Sequence, residues 1–121
     1  MQLFATYGLE EEKTDGLNWI KGKVKKIDIQ DSRFKLPHIG WNEIEVLGNN
    51  KHFSEIKDLD HMYFIHSYEF EPEEEKTIIA YTSYNKKIVA AVEKDNIFGT
   101  QFHPEKSQKN GLKILGNFLK K

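Results

Sequence analysis

An imidazole and a carboxylate stand two residues apart at His103-Pro104-Glu105, directly after the apolar run that ends at Phe102. Proline at 104 biases His103 toward extended backbone, and side chains two apart on an extended chain project to the same side. The two groups can therefore meet beyond a strand end. There the carboxylate would fix the tautomer of the imidazole and stabilise the imidazolium formed when the base takes a proton. Such a pair is a base with its orienting partner, and it needs a nucleophile. The chain has no cysteine, and its serines and threonines form no nucleophile-elbow pattern. A three-residue string also arises by chance, so a turn histidine beside a solvated glutamate stays open next to the catalytic reading.

The other chemistry-bearing side chains are histidines. His38, His52, His61, His66 and His103 show neither H-x-x-x-H nor H-E-x-x-H spacing, and His61 and His66 fall on opposite faces of an apparent strand. No metal site is expected, and without cysteine there is neither a disulfide framework nor a thiolate metal site. Eighteen basic and nineteen acidic residues leave a net charge of -1, with the basic residues dispersed, so no nucleic-acid partner is expected. No apolar run approaches the roughly 20 residues that span a bilayer, and no signal segment opens the chain. Neither a membrane partner nor export is expected, and the expected location is the cytoplasm.

The elements that must position these groups fit one small domain of 121 residues. Met1, Leu3, Phe4 and Tyr7 have the spacing of a short amphipathic helix ending near Gly8, followed by a turn at Asp15-Gly16. Val24, Ile27 and Ile29 suggest an irregular antiparallel or edge strand. Leu36 to Gly40 reads as a breaker-rich loop leading into a strand through Trp41, Ile44 and Val46, and residues 51–60 as a loop or helical turn. "HMYFIHSYEF", residues 61–70, reads as one aromatic strand running into a solvated acidic turn. Strands at Thr77 to Tyr81, Ile88 to Val92 and Ile97 to Phe102 follow, at hairpin spacing. A helix from about Gln108 to Lys120 closes the chain, with Leu112, Leu115, Gly116, Phe118 and Leu119 as its apolar face and terminal lysines suiting the dipole.

Longer segments carry a family resemblance. "FGTQFHPEKS", residues 98–107, resembles the C-terminal motif of class I glutamine amidotransferases, in which His and Glu complete a Cys-His-Glu triad. "KLPHIGWNEIE" at 35–45 and "YFIHSYEF" at 63–70 resemble one branch, the glutaminase subunits of imidazole glycerol phosphate synthases, in that branch's order and approximate spacing. "MQLF" at 1–4 is similar to the end of the family's G-x-C-x-G-M-Q-L segment. The resemblance implies an α/β fold, the C-terminal part of a doubly wound, flavodoxin-like domain, rich here in added antiparallel strands and ending in a helix. It implies no cofactor, glutamine as substrate of the complete enzyme, and, as partner, a cyclase subunit that receives ammonia.

Residue by residue, His103 matches the general base and Glu105 its orienting carboxylate. Gln2, Ser67 and Tyr68 match positions around the bound glutamine. Strand-end polarity for Ser67 and Tyr68, and a plain polar helix residue for Gln2, remain alternatives. Pro37, His38, Gly40, Trp41 and Asn42 match the loop that faces the cyclase, and Tyr63 another interface aromatic. Trp41 can equally be a core anchor, and His38 a loop histidine satisfied by backbone. The alignment puts the family's cysteine three residues before Met1, so this chain is expected to be a partial amidotransferase domain, inactive alone and less stable than a full-length relative. A non-catalytic interaction module and an ammonia-supplying homologue in surface-glycan synthesis are the alternatives.

Overall fold

The computed structural model describes residues 1–57 and 60–120. Along the chain run β1 (Tyr7–Gly8), β2 (Thr14–Asp15), β3 (Gly22–Lys26), β4 (His38–Val46), β5 (His61–His66), β6 (Tyr68–Pro72), β7 (Ile78–Ser83), β8 (Lys87–Lys94), β9 (Ile97–Thr100) and helix α1 (Gln108–Leu119). Two sheets result, a five-stranded one in the order β5-β4-β7-β8-β9 and a four-stranded one in the order β2-β1-β3-β6. The larger sheet is antiparallel throughout. In the smaller one β1 and β3 run parallel. Among the described residues no helix is long and apolar enough to cross a membrane.

The alternation of β5 sets one face of the larger sheet. Met62, Phe64 and His66 point inward and are buried, while His61 and Ile65 are exposed, the period-2 pattern of a strand with one wet face. β4 follows the same register, so His38 faces His66 inside, and Trp41 faces Tyr63 outside. In β8 the pattern is a continuous buried run from Ile88 to Val92, because both of its faces are covered. Ala90 and Ala91 join the core of Ile44, Phe53, Met62, Phe64, Phe102 and Ile114, whereas Val89 and Val92 pack with Ala5, Ile20, Val24 and Phe70 against the smaller sheet. Fully burying each large apolar side chain contributes about 1.5–3 kcal/mol.

Several elements depart from the sequence expectation. The N-terminal helix is a single 3-10 turn over Gln2–Phe4. Its carbonyls are taken by a distant segment: Leu3 accepts from the Leu17 N–H, and Phe4 from those of Trp19 and Ile20. A Cβ on Gly16 would overlap the Ala5 carbonyl, so glycine permits that close approach. β3 pairs antiparallel with β6 as expected, but it is no edge, since β1 lies on its other side, and it ends at Lys26. Ile27, beyond it, is buried and donates its N–H to the Ser67 carbonyl at 3.0 Å. The expected single strand 61–70 breaks at Ser67 into β5 and β6, which belong to different sheets. Glu69 on β6 is then buried against Lys86 at 2.8 Å. The loop before β4 ends at Pro37, and Gly40, within the strand, has φ +117°, a region that favours glycine.

The hairpins β7–β8 and β8–β9 and the helix lie where expected. In α1, however, the buried side is Gly111 and Ile114, with Phe118 stacked on Phe98, while Leu112, Leu115 and Leu119 are exposed. The apolar residues form one broad stripe, with Ile114 and Phe118 along one edge and Leu112 and Leu119 along the other, and a Cβ on Gly111 would overlap the Pro104 carbonyl. The glycine side therefore seats closest, and the leucine stripe turns away. Between 51 and 60 a 3-10 turn occupies Lys51–Phe53. Residues 58 and 59 of that expected loop, and the terminal lysine at 121, lie outside the described residues.

Candidate active site

β9 delivers the chain to His103. Gln101 donates its N–H to the Ala90 carbonyl of β8 at 2.7 Å, and Phe102 is buried in the larger core. His103 is extended, with φ -96° and ψ 99°, and Pro104 then opens a 3-10 turn that carries Glu105. The turn, rather than a continuing strand, brings the side chains together. His103 Nδ1 lies 3.2 Å from Glu105 Oε2. With Nδ1–H donating to the carboxylate, Nε2 keeps its lone pair and is the basic atom. The imidazole is 39% exposed and the carboxylate 57%, so both protonation states are solvated.

His103 lines an open cleft of about 700 Å³ together with Gln2, His66, Ser67, Tyr68 and Gln101. Four residues named from sequence, Gln2, Ser67, Tyr68 and His103, thus share one cavity, and Glu105 stands behind the fourth. The Gln2 amide donates to the Tyr68 carbonyl at 2.9 Å and to Gln101 Oε1 at 2.8 Å. It ties the start of the chain to the wall formed by β6 and the β9 exit. Ser67 is the crossing point between the two sheets, so its place in the cleft follows from the topology.

Behind that wall lies a buried histidine pair that sequence reasoning missed. His66 Nδ1 donates to the Tyr68 carbonyl at 2.8 Å, which leaves its Nε2 to accept from His38 Nδ1 at 2.9 Å. His38 Nε2 in turn accepts from the Asn42 amide at 3.1 Å, and that amide also donates to the Ser83 carbonyl at 2.8 Å. One tautomer assignment satisfies the whole chain of bonds with both rings neutral. Burial, and secondarily the adjacent His66, pushes His38 down to about 4. His66 is lowered as well, chiefly by burial, opposed by its bond to the Tyr68 carbonyl and aided by the nearby His103. The His38 ring stacks between Phe64 and Tyr84. The sequence put His61 and His66 on opposite faces of a strand, but nothing in it joined His66 to His38.

The residues matched to a partner interface separate into two groups. His38 and Asn42 turn inward, and His38 is neither a loop residue nor satisfied by backbone. Pro37 and Trp41 are exposed. Trp41 is 49% exposed and meets Tyr63 edge-on at 5.8 Å, so it is not a core anchor. Ile39 and Ile65, paired beside them, are exposed too, and Lys106 Nζ stands 5.8 Å from the Tyr63 ring centre. The outer face of β4 and β5 is thus an apolar stripe next to the turn that carries His103.

The sequence matches the profile of the family described as "Glutamine amidotransferase class-I" over residues 4–121. The chain belongs to that family. Among curated class I amidotransferase relatives it is similar to the imidazole glycerol phosphate synthase subunit HisH of Pelagibacter ubique strain HTCC1062, 60% identical over 119 residues that cover 98% of this chain and 57% of the relative. The subunit of the same name from Azospirillum brasilense is 44% identical, covering 98% and 62%, and that from Caulobacter vibrioides 47%, covering 98% and 55%. The chain therefore spans a little over half the length of the curated relatives it matches. A solved structure, described as a putative GMP synthase component from Thermoplasma acidophilum, superposes with TM-score 0.61 at 22% identity over 81% of this chain and 47% of that one. That likeness shows the amidotransferase fold alone.

Proposed function

We propose that this chain supplies the base, its orienting carboxylate and part of the glutamine-binding wall of a glutaminase that serves an imidazole glycerol phosphate synthase. The observation that carries the reading is the 3.2 Å contact of His103 with Glu105 at the edge of a cleft that also gathers Gln2, Ser67 and Tyr68. The nucleophilic cysteine would come from the part of the family domain that this chain does not match. His103 Nε2 takes the thiol proton as the thiolate attacks the side-chain amide carbon of glutamine, then gives that proton to the departing nitrogen, releasing ammonia and leaving a thioester. Water, deprotonated by the same Nε2, hydrolyses the thioester to glutamate and restores the thiol. Glu105 holds Nδ1 protonated throughout and stabilises the transient imidazolium. The face with exposed Pro37 and Trp41 and half-buried Tyr63 is where a cyclase subunit would dock, since a rigid aromatic pair beside an apolar stripe is the usual anchor of an interface.

The test is ammonia release from glutamine, measured for this chain alone and for the chain joined to a family segment bearing the cysteine, each with and without a cyclase subunit. Turnover is expected only in the joined protein, and His103→Ala should lower it by about 10²- to 10⁴-fold. Turnover by this chain alone, or a joined protein indifferent to His103→Ala, would refute the assignment.

A further inference from the structure

We infer that Ser107 is a positioning residue for the site: its hydroxyl ties the backbone of His103 to that of Tyr63 and so fixes where the imidazole stands. The inference rests on the glutaminase reading above, which assigns nothing to Ser107. β5 closes one side of the larger sheet, and there Tyr63 presents both of its backbone groups to the turn at 103–107. The Tyr63 carbonyl accepts from the His103 N–H at 2.9 Å. The Tyr63 N–H donates to Ser107 Oγ at 3.0 Å, and that hydroxyl donates to the His103 carbonyl at 2.7 Å. Two residues of an antiparallel bridge ordinarily exchange N–H and C=O bonds directly. Here one of the two bonds passes through the serine hydroxyl.

The position of Ser107 would suggest another use. A serine directly before a helix usually caps it with its side-chain oxygen, and Ser107 precedes Gln108. It makes no side-chain cap bond. Its hydroxyl is spent on the bridge instead, in a side chain only 1% exposed, where water cannot readily replace a lost partner. The first turn of α1 presses on the same segment: the Ser107 N–H donates to the Pro104 carbonyl at 3.0 Å, and the Ser107 carbonyl accepts from the Gly111 N–H at 3.1 Å. His103 is thus held at both backbone groups, by Tyr63 directly and by Tyr63 through Ser107. The same strand residue carries the aromatic ring that meets Trp41. Base and aromatic face are therefore bonded to one another without a flexible joint.

The experiment compares Ser107→Ala with Ser107→Thr in the glutaminase completed with its cysteine-bearing segment and assembled with a cyclase subunit. In Ser107→Ala the turnover per titrated active site should fall about 10- to 100-fold, with KM changed by no more than about twofold, because the base is misplaced while the substrate wall is intact. Ser107→Thr keeps the hydroxyl and should recover turnover to within about threefold of the parent. A second measurement does not depend on turnover. In the 121-residue chain, nitrogen-15 NMR should find the ring resonances of His103 displaced by Ser107→Ala and restored by Ser107→Thr. An alanine variant with parental turnover per site, or with unmoved His103 ring resonances, overturns the inference. A parent enzyme without glutaminase activity refutes the functional reading instead, and the ring resonances still decide the role of Ser107.

Discussion

His66 and His103 line the same cleft and were made into opposites by their surroundings. His103 stands 39% exposed with a carboxylate at Nδ1, so its imidazolium is both solvated and paired. His66 is 8% exposed, between a second imidazole and a backbone carbonyl. The carbonyl favours a positive charge on His66, but burial, the larger cause, lowers its proton affinity. In the proposed glutaminase the first ring is the one that cycles a proton. The second is built to stay neutral and hold the wall in place. Access to water and the group bonded to Nδ1, not nearness to the cavity, set the two imidazoles apart.

The hardest way to break the contrast is to remove what keeps the inner pair dry. Phe64 is fully buried and stacks on His38 at 4.8 Å between ring centres. Phe64→Ala should cost about 3–5 kcal/mol of stability, read from urea unfolding, and a loss under about 1 kcal/mol would mean that the pair does not depend on its apolar wall. Acid is the next lever. The folded-state value of His38 lies below its ordinary 6.5, at about 4, so below pH 6.5 the unfolded chain binds a proton that the folded pair refuses. The stability contributed by the neutral ring is complete above that pH and is lost as pH falls toward 4. The loss from His38 alone is roughly 3 kcal/mol. His38→Asn should flatten the decline between those pH values, and an unchanged slope would place its origin elsewhere.

On the outer pair the expectation reverses. Glu105→Gln removes the charge that stabilises an exposed imidazolium, so the completed glutaminase should lose about 10²-fold in turnover. The side chain is exposed, so unfolding free energy should move by no more than about 0.5 kcal/mol. Parental turnover in this variant would remove Glu105 from the mechanism. A large stability loss would recast the pair as structural.

What the sequence made legible follows the range of the interactions involved. His103 and Glu105 are two residues apart, and their meeting needed only proline and a turn. β7, β8 and β9 pair with their chain neighbours, and their hairpin spacing was readable. The His38–His66 bond joins residues 28 apart in the chain, through a register between β4 and β5 that no local pattern specifies. The break at Ser67 was hidden because β5 and β6 are both rich in aromatics. Only the separate partners of each strand, β4 for one and β3 for the other, reveal that the alternation changes sheets. The N-terminal apolar spacing pointed to a helix, but the carbonyls of Leu3 and Phe4 went to residues 17, 19 and 20. In α1 the period was right, but only the edge of the apolar stripe with Gly111, Ile114 and Phe118 is seated, because the close approach at Gly111 chose that edge and left the leucines outside.

Trp41 offers the gentlest test, and it separates burial from function on the stripe beside the turn that carries His103. The ring is 49% exposed and touches Tyr63 edge-on, a contact that contributes about 0.5–1.5 kcal/mol. Trp41→Ala should therefore lower stability by about 1.5 kcal/mol or less, below the cost of Phe64→Ala, although it deletes the larger side chain. If the stripe is the cyclase-facing surface, the same substitution should weaken binding to the cyclase by about tenfold, a change of about 1.4 kcal/mol. Binding measured by titration calorimetry, beside urea unfolding of the free protein, separates the two effects. Unchanged affinity would remove Trp41 from the docking face. A stability loss approaching that of Phe64→Ala would show that the half-exposed ring anchors the β4–β5 pair after all, and the division between an inner face that folds the chain and an outer face that serves its partner would fail.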